Sequence, residues 1–231
     1  MAIPDSRFHY DFSLFIADFI GSEQALARLT AHISYRQSEF VFVTSDNCLE
    51  QFRYQALRDK KRLLTTTFSL KRGFYLLDPH RIPESMHRFA ATLDGMDHWG
   101  QAVTLDTIRR LSPIHFVATG TGAINTRGVR LGNGSGYFDA AWAMLYRIGA
   151  VTSTTPIASL VHDCQVLDAP LVPEIFDTSV DLVFTPTRQI EVEAPHKPTC
   201  GIVWDILAPH LYATVPPLRE LKQLEPTLPP R

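Results

Sequence analysis

The chain has 231 residues, 45% hydrophobic and 20% charged, and its 24 acids nearly balance 22 bases for a formal net charge of −2. A chain this long buries a full core without disulfides or a structural metal, and its length suits one α/β or α+β domain. The charge balance sets aside a non-specific nucleic-acid binder, which needs a basic excess or a basic face.

Residues 1–20 are rich in aromatics (Phe8, Tyr10, Phe12, Phe15, Phe19) and read as an arm packed on the body, with early charges and no apolar run of signal-peptide length. Ala25, Leu26, Leu29 and Ile33 after Ser22 predict a helix over 22–36. FVFVT (40–44) predicts a short buried strand, and Leu49, Phe52 and Leu57 predict a second helix ending at the basic run 59–62. LLTTT (63–67) and FYLL (74–77) predict strands either side of a turn, and a helix is expected near 84–92. A short helix over 105–111 leads into HFVAT (115–119), an apolar run suited to a strand covered on both faces. A glycine-rich stretch then reaches Gly136, and YFDAAWAMLYRIG predicts a helix closed by Gly149. PIASLV (156–161) and VDLVFT (180–185) again read as buried strands, GIVWDIL (201–207) follows, and the Pro-rich 226–231 reads as a flexible tail.

Alternating helices and apolar strands predict a three-layer α/β sandwich with a mostly parallel sheet, built by residues 1–225 as a single domain. Cys48, Cys164 and Cys200 are odd in number and lack C-x-x-C spacing, which points to free thiols in a reducing compartment. No uninterrupted apolar stretch reaches about 18 residues, so a cytoplasmic protein with no membrane partner is expected. Cys164 has no evident base and reads as a small buried apolar residue. His162 reads as a packed strand-end histidine rather than an acid–base partner of Asp163, and Trp142 and Trp204 read as core. The nine histidines form no H-x-x-x-H or H-E-x-x-H set, so nothing supports a zinc site.

The segment Gly128–Asp139 lies between a buried strand and a helix and carries alternating glycines at 132, 134 and 136. Such a loop lets a ligand approach the backbone, and the amides and dipole of the following helix favour an anion there. Arg130 could add a charge-assisted contact to phosphate, and Asp139 could hold Mg²⁺ carried by that phosphate. A glycine-rich turn that merely reverses the chain, with Asp139 favoured by the dipole, fits the pattern equally well. It is not a Walker loop, since no Gly-Lys-Ser/Thr follows, nor is its spacing that of the dinucleotide fingerprint.

RLGNGSGYFD (130–139) resembles the R-x-G-x-G-x-G-[YF]-[YF]-D signature of the 5-formyltetrahydrofolate cyclo-ligase (methenyltetrahydrofolate synthetase) family. VHDCQVLD (161–168), FDTSVDLVFTPTRQI (176–190), KPTCGIVWDIL (197–207), DFIGSEQALARL (18–29), LRDKKRLL (57–64) and the Asp46/Arg53 spacing extend the likeness to the branch of methenyltetrahydrofolate synthetase domain-containing proteins, over roughly 12–225.

The resemblance implies a Rossmann-like sandwich related to the NagB/RpiA/CoA-transferase group, and MgATP-dependent closure of 5-formyltetrahydrofolate to 5,10-methenyltetrahydrofolate. ATP phosphorylates the formyl oxygen, N10 attacks the activated carbon and phosphate leaves, so the protein chiefly aligns substrates and neutralises charge. Carried over residue by residue, Arg130, Gly132, Asn133, Gly134, Ser135, Gly136, Tyr137 and Phe138 would cradle ATP, with Arg130 and Tyr137 nearest the chemistry. Asp139 and Asp177 match the family's Mg²⁺-binding carboxylates. Without the resemblance Asp177 would read as a turn residue and Asp181 as a partner for backbone amides.

The sequence also departs from the family. It lacks the Lys-x-x-x-Arg expected on the first helix, has Asn133 and Ser135 where the loop usually carries a cation, and has Phe68-Ser69 where the branch often has Pro-Arg. Each change removes positive charge from a place where ATP must be balanced, and a charge-assisted hydrogen bond is worth about 1.5–3 kcal/mol. Lys60, Lys61, Lys71 and Arg72 are the candidate substitutes. The alternative implied is a relative that binds another phosphorylated or pterin/thiamin-related metabolite.

Overall fold

The computed structural model describes residues 2–3 and 16–229. In chain order the strands are β1 (Ala2–Ile3), β2 (Asp18–Phe19), β3 (Phe40–Val43), β4 (Arg62–Thr66), β5 (Phe74–Leu77), β6 (Gln101–Val103), β7 (Phe116–Gly120), β8 (Ala123–Asn125), β9 (Arg130–Leu131), β10 (Ile157–Leu160), β11 (Val166–Leu167), β12 (Leu182–Phe184) and β13 (Gln189–Glu191). The helices are α1 (Ser22–Ala31), α2 (Ile33–Arg36), α3 (Glu50–Arg58), α4 (His87–Ala90), α5 (Leu93–Trp99), α6 (Leu105–Leu111), α7 (Tyr137–Arg147), α8 (Pro209–Thr214) and α9 (Pro216–Leu224).

The main sheet has the order β13-β12-β10-β7-β3-β4-β5-β6. Its five middle strands, β12, β10, β7, β3 and β4, run parallel, while β5 and β13 pair antiparallel to their neighbours. This is the α/β architecture with a mostly parallel sheet that the apolar runs predict. Strand β3 shows why those runs are continuous: Phe40 and Phe42 join one core cluster, Val41 and Val43 the other, and all four are fully buried. The first cluster also takes residues of α6, α7 and α9, and the second takes residues of α1, α3 and α5, so both sheet faces are covered. Among the described residues no helix is long and apolar enough to cross a membrane.

Several elements differ from the sequence expectations. The helix expected over 22–36 breaks at His32, whose backbone is extended (φ −67, ψ 140) and whose Nδ1 accepts from Ser34 N, starting α2. Local capping outweighs continued periodicity there. The 123–131 stretch is not featureless: β8 pairs with β9 and β11 in a separate three-stranded sheet. Of the Pro-rich 226–231, the residues through Pro229 are described. Leu228 joins the first core cluster at 9% exposure, and Arg147 Nη1 donates to Pro229 O at 3.0 Å. Its apolar side chain finds a site beside α7, which proline content alone does not reveal. Of the N-terminal arm, Phe19 is buried, whereas residues 4–15 with Phe8, Tyr10, Phe12 and Phe15 lie outside the described residues. Trp142 is core, its Nε1 donating to Pro198 O at 3.0 Å, and Trp204 is partly buried against the same cluster.

A carboxylate links α9 to α6. Glu220 Oε1 accepts from Leu105 N at 2.7 Å and Asp106 N at 3.4 Å, satisfying first-turn donors of α6. Burial pushes this carboxyl above its ordinary 4.5, the nearby Asp106 adds to the rise, and the two backbone bonds oppose it. A raised folded value means the carboxyl's contribution to stability is complete below 4.5 and is lost as pH rises through that value. Glu220→Gln is therefore expected to flatten the fall in stability with rising pH, read by urea unfolding between about pH 4 and 7. Equal slopes for the two proteins would count against this account.

Candidate functional site

From β3 the chain moves outward to β4, β5 and β6, then returns to β7 on the other side of β3 and continues to β10 and β12. The order of the sheet thus reverses between β3 and β7, and in open α/β sheets a crevice forms beyond the C-terminal strand ends at such a point. A cavity of about 460 Å³ lies there. Its floor includes Thr44, Asp46, Thr119 and Gly120, and one side is the 130–139 loop with the first turn of α7. Thr66, Phe68–Leu70, Leu93, Phe176–Ser179 and residues from 201 to 211 form other parts of the wall.

The floor is tightly built. Asp46 Oδ2 accepts from Thr44 Oγ1 at 2.5 Å and from Gly120 N at 3.0 Å. A Cβ on Gly120 would stand 2.8–2.9 Å from Asp46 side-chain atoms, so glycine is needed for the close approach. Beneath the turn, Arg53 is 1% exposed and donates through Nη1 to Thr44 O and Asp46 O, and through Nε to Ala91 O. Asp46 and Arg53 thus act together: the guanidinium fixes the turn that carries the carboxylate. Sequence spacing marks the pair, but neither is marked as a cavity element.

In the loop, Gly134 and Gly136 have positive φ (+78 and +68), and nothing would stand within 4 Å of a Cβ on Gly134. Asn133 Oδ1 accepts from Ser135 N at 3.2 Å, so this side chain shapes the loop. Gly136 provides no side-chain cap for α7, leaving the first-turn amides uncapped beside the cavity. All ten residues of 130–139 line this one cavity.

Arg130 and Asp139 are engaged with one another. Arg130 Nη2 donates to Asp139 Oδ1 at 2.7 Å, and the same oxygen accepts from Thr178 N at 2.9 Å. Arg130 Nε reaches Thr178 O at 3.2 Å, and its guanidinium lies 4.2 Å from the centroid of the buried Phe138 ring. Phe138 therefore supports Arg130 from within the core, and Tyr137 is the more accessible of the two aromatics. Asp177 lines the same cavity, and its Oδ2 accepts from Glu174 N at 2.9 Å.

Among the described residues no group of three or more His, Cys, Asp or Glu side chains is arranged to hold a metal. Mg²⁺ commonly takes one or two carboxylates together with substrate phosphates and water, and Asp139 and Asp177 on one cavity suit an ion arriving with a phosphate ligand. Thr178 and Ser179 also line this wall, and their buried hydroxyl oxygens have no hydrogen-bond partner. Unsatisfied buried hydroxyls are uncommon, and ligand sites are one place they occur. These two residues carry no sequence signal of their own.

The candidate substitute cations lie elsewhere. Lys60 pairs with Glu84, Lys61 Nζ donates to Ser38 O at 2.5 Å, and Arg72 pairs with Asp97 at 2.5 Å. None of these, nor Lys71, is among the cavity-lining residues. Asp181 accepts from Ile157 N at 2.7 Å and pairs with the buried Lys197 at 2.6 Å, outside the cavity lining. Cys164 corrects its sequence reading, being exposed with His162 Nδ1 3.1 Å from its sulfur. The residue leaves β10 on a short turn rather than continuing the buried strand, so its apolar character does not set its burial.

The family model described as the 5-formyltetrahydrofolate cyclo-ligase family matches residues 15–186. The methenyltetrahydrofolate synthase domain-containing protein of Homo sapiens is 34% identical over 214 residues, covering 91% of this chain and 55% of that protein. Its Mus musculus counterpart is 32% identical over 213 residues, covering 91% and 56%. The chain spans about half the length of the curated relatives it matches. A solved 5,10-methenyltetrahydrofolate synthetase from Aquifex aeolicus superposes at a TM-score of 0.49 and 17% identity, over 75% of this chain and 81% of that one. The matched 15–186 includes Asp46, the entire glycine loop, Asp139 and Asp177, and on that match the chain belongs to the 5-formyltetrahydrofolate cyclo-ligase family.

Proposed function

We propose that this chain is an ATP-dependent cyclo-ligase that closes 5-formyltetrahydrofolate to 5,10-methenyltetrahydrofolate. The observation that carries the reading is the convergence of the glycine loop, the uncapped start of α7, Asp139 and Asp177 on the cavity at the β3/β7 reversal. Bound MgATP would supply the phosphoryl group that makes the formyl oxygen a leaving group. The residues' own work is then positioning and charge balance. Loop amides from 132–136 and the first turn of α7 would donate to phosphate oxygens, with Arg130 on the flank. Asp139 and Asp177 would hold Mg²⁺, and Tyr137 would border the reacting groups. Leu131, Phe176 and Ile206, exposed hydrophobics at the cavity, would cover the rings of a reduced folate and exclude water. The same reading extends to a NagB/RpiA/CoA-transferase-like sandwich as the ancestry of the fold and to a single catalytic domain as its organisation.

One observation favours the second reading. The guanidinium of Arg130 is already neutralised by Asp139, and the four other basic candidates do not line the cavity. A site so sparing in cations suits a smaller phosphorylated or pterin/thiamin-related ligand. The two readings separate in one experiment. Melting temperature is measured with MgATP, 5-formyltetrahydrofolate, both, and thiamin phosphates, followed by absorbance of the methenyl product. Ligand at about a hundred times its Kd should stabilise by about 2.7 kcal/mol. The cyclo-ligase reading requires a shift with MgATP plus folate and product formation. A shift with a thiamin phosphate alone, and no product, replaces it with the second.

A further inference from the structure

Outside the cavity, the turn after β10 brings a thiol and a base together. Cys164 is exposed, and its Sγ lies 3.1 Å from His162 Nδ1. That same nitrogen accepts from the backbone N–H of Cys164 at 3.2 Å. A backbone amide can only donate, so Nδ1 carries the ring's lone pair and the neutral imidazole keeps its proton on Nε2. In the second contact Nδ1 has no proton to give, so the thiol can act there only as donor, toward a nitrogen able to take its proton.

The turn holds this geometry from both sides. His162 N donates to Gln165 Oε1 at 2.6 Å, and Gln165 Nε2 donates to Thr121 O and Gly122 O at 2.9 and 3.0 Å. The Phe19 ring stands edge-on to the imidazole at 6.1 Å. Asp163 Oδ1 accepts from the hydroxyls of Thr185 and Thr187, each at 2.6 Å.

The other cysteines supply contrasts within the same chain. Cys48 is buried, and burial pushes its thiol well above the usual range. Cys200 is exposed, but its sulfur contacts Gly201 O at 3.6 Å, a carbonyl that takes no proton.

We propose that Cys164 is the reactive thiol of this protein, a modification site for low-molecular-weight disulfides, with His162 as its general base. As the sulfur attacks one sulfur of the disulfide, its proton passes to His162 Nδ1. A protein–small-molecule disulfide forms, the original S–S bond breaks, and the departing thiolate recovers the proton from His162. The cysteine is oxidised and the other half of the disulfide reduced, so the step balances.

The test treats the folded chain with oxidised glutathione and follows each cysteine by peptide mass. Mixed disulfide is expected at Cys164 on the order of tenfold faster than at Cys200, the low end of general-base assistance, with Cys48 unmodified. Unfolding in urea should erase the difference. His162→Asn keeps an acceptor for the Cys164 amide but cannot take the proton, so Cys164 should fall to the Cys200 rate at unchanged melting temperature. Equal rates at Cys164 and Cys200 in the unaltered protein would overturn the proposal, as would an unchanged Cys164 rate in the asparagine variant. If that variant fails to fold, the ratio in the unaltered protein decides alone.

Discussion

Replacing Asp139 with alanine is expected to lower the free energy of unfolding by about 3–5 kcal/mol, the cost of breaking one partner out of a buried ion pair. The Arg130 and Asp139 side chains are 7% and 17% exposed, so the bare guanidinium would have only the water that the cavity admits. Thr178 N would lose its acceptor in the same step. Asp139→Asn retains an oxygen for both donors while removing the charge, and should lose less than half as much. Urea midpoints of the three proteins check the order. A loss under about 1 kcal/mol for alanine would place the pair with surface ion pairs and remove it as the strut of this wall. The asparagine variant has a second use. It keeps the wall standing but weakens a carboxylate assigned to Mg²⁺, so a folded Asp139→Asn protein that still forms product at full rate would count against that assignment.

Replacing Arg53 with methionine should be about as damaging, again about 3–5 kcal/mol, because the volume is kept while the donors are lost. The carbonyl oxygens of Thr44, Asp46 and Ala91 would lose partners at 2.8–2.9 Å in a place where Arg53 itself is 1% exposed, and of the three Asp46 O would keep Leu49 N at 3.1 Å. Buried carbonyls left unsatisfied are costly. Lysine retains the charge but cannot reach three divergent acceptors with one ammonium, so Arg53→Lys should recover only part of the loss. Hydrogen exchange adds a local readout: protection should fall at Gly120 N and Thr44 N, whose acceptors are Asp46 Oδ2 and Ala118 O, before it falls in β10. Uniform loss across the sheet would mean that Arg53 supports the whole fold rather than the floor of the cavity.

What could be read from the amino acids follows a physical division. Strands covered on both faces leave continuous apolar runs, which is why 40–44, 115–119, 156–161 and 180–185 are legible. α6 is legible because Thr104 caps it, its Oγ1 accepting from Thr107 N at 3.1 Å. α9 was not, since its Pro216-Pro217 start resembles a linker although proline suits the first helical positions. The glycine loop announced itself through backbone chemistry, which is local. The partners of Arg130, the orphaned hydroxyls of Thr178 and Ser179, and the His162 contact that makes Cys164 unlike its siblings arise only when distant or turning segments meet. Periodicity reports which side chains are buried; it does not report what they face.

The sheet ends on three-residue strands, β6 at one side and β13 at the other, each with two of its three residues exposed to water. Gln101 on one and the Gln189–Glu191 contact on the other place polar side chains along these borders. A second molecule seeking to extend the sheet by strand addition would find a template too short and too hydrophilic for lasting pairing. Crowded copies of this chain should therefore resist edge-to-edge aggregation, even though the strands just inside those borders are among its most apolar.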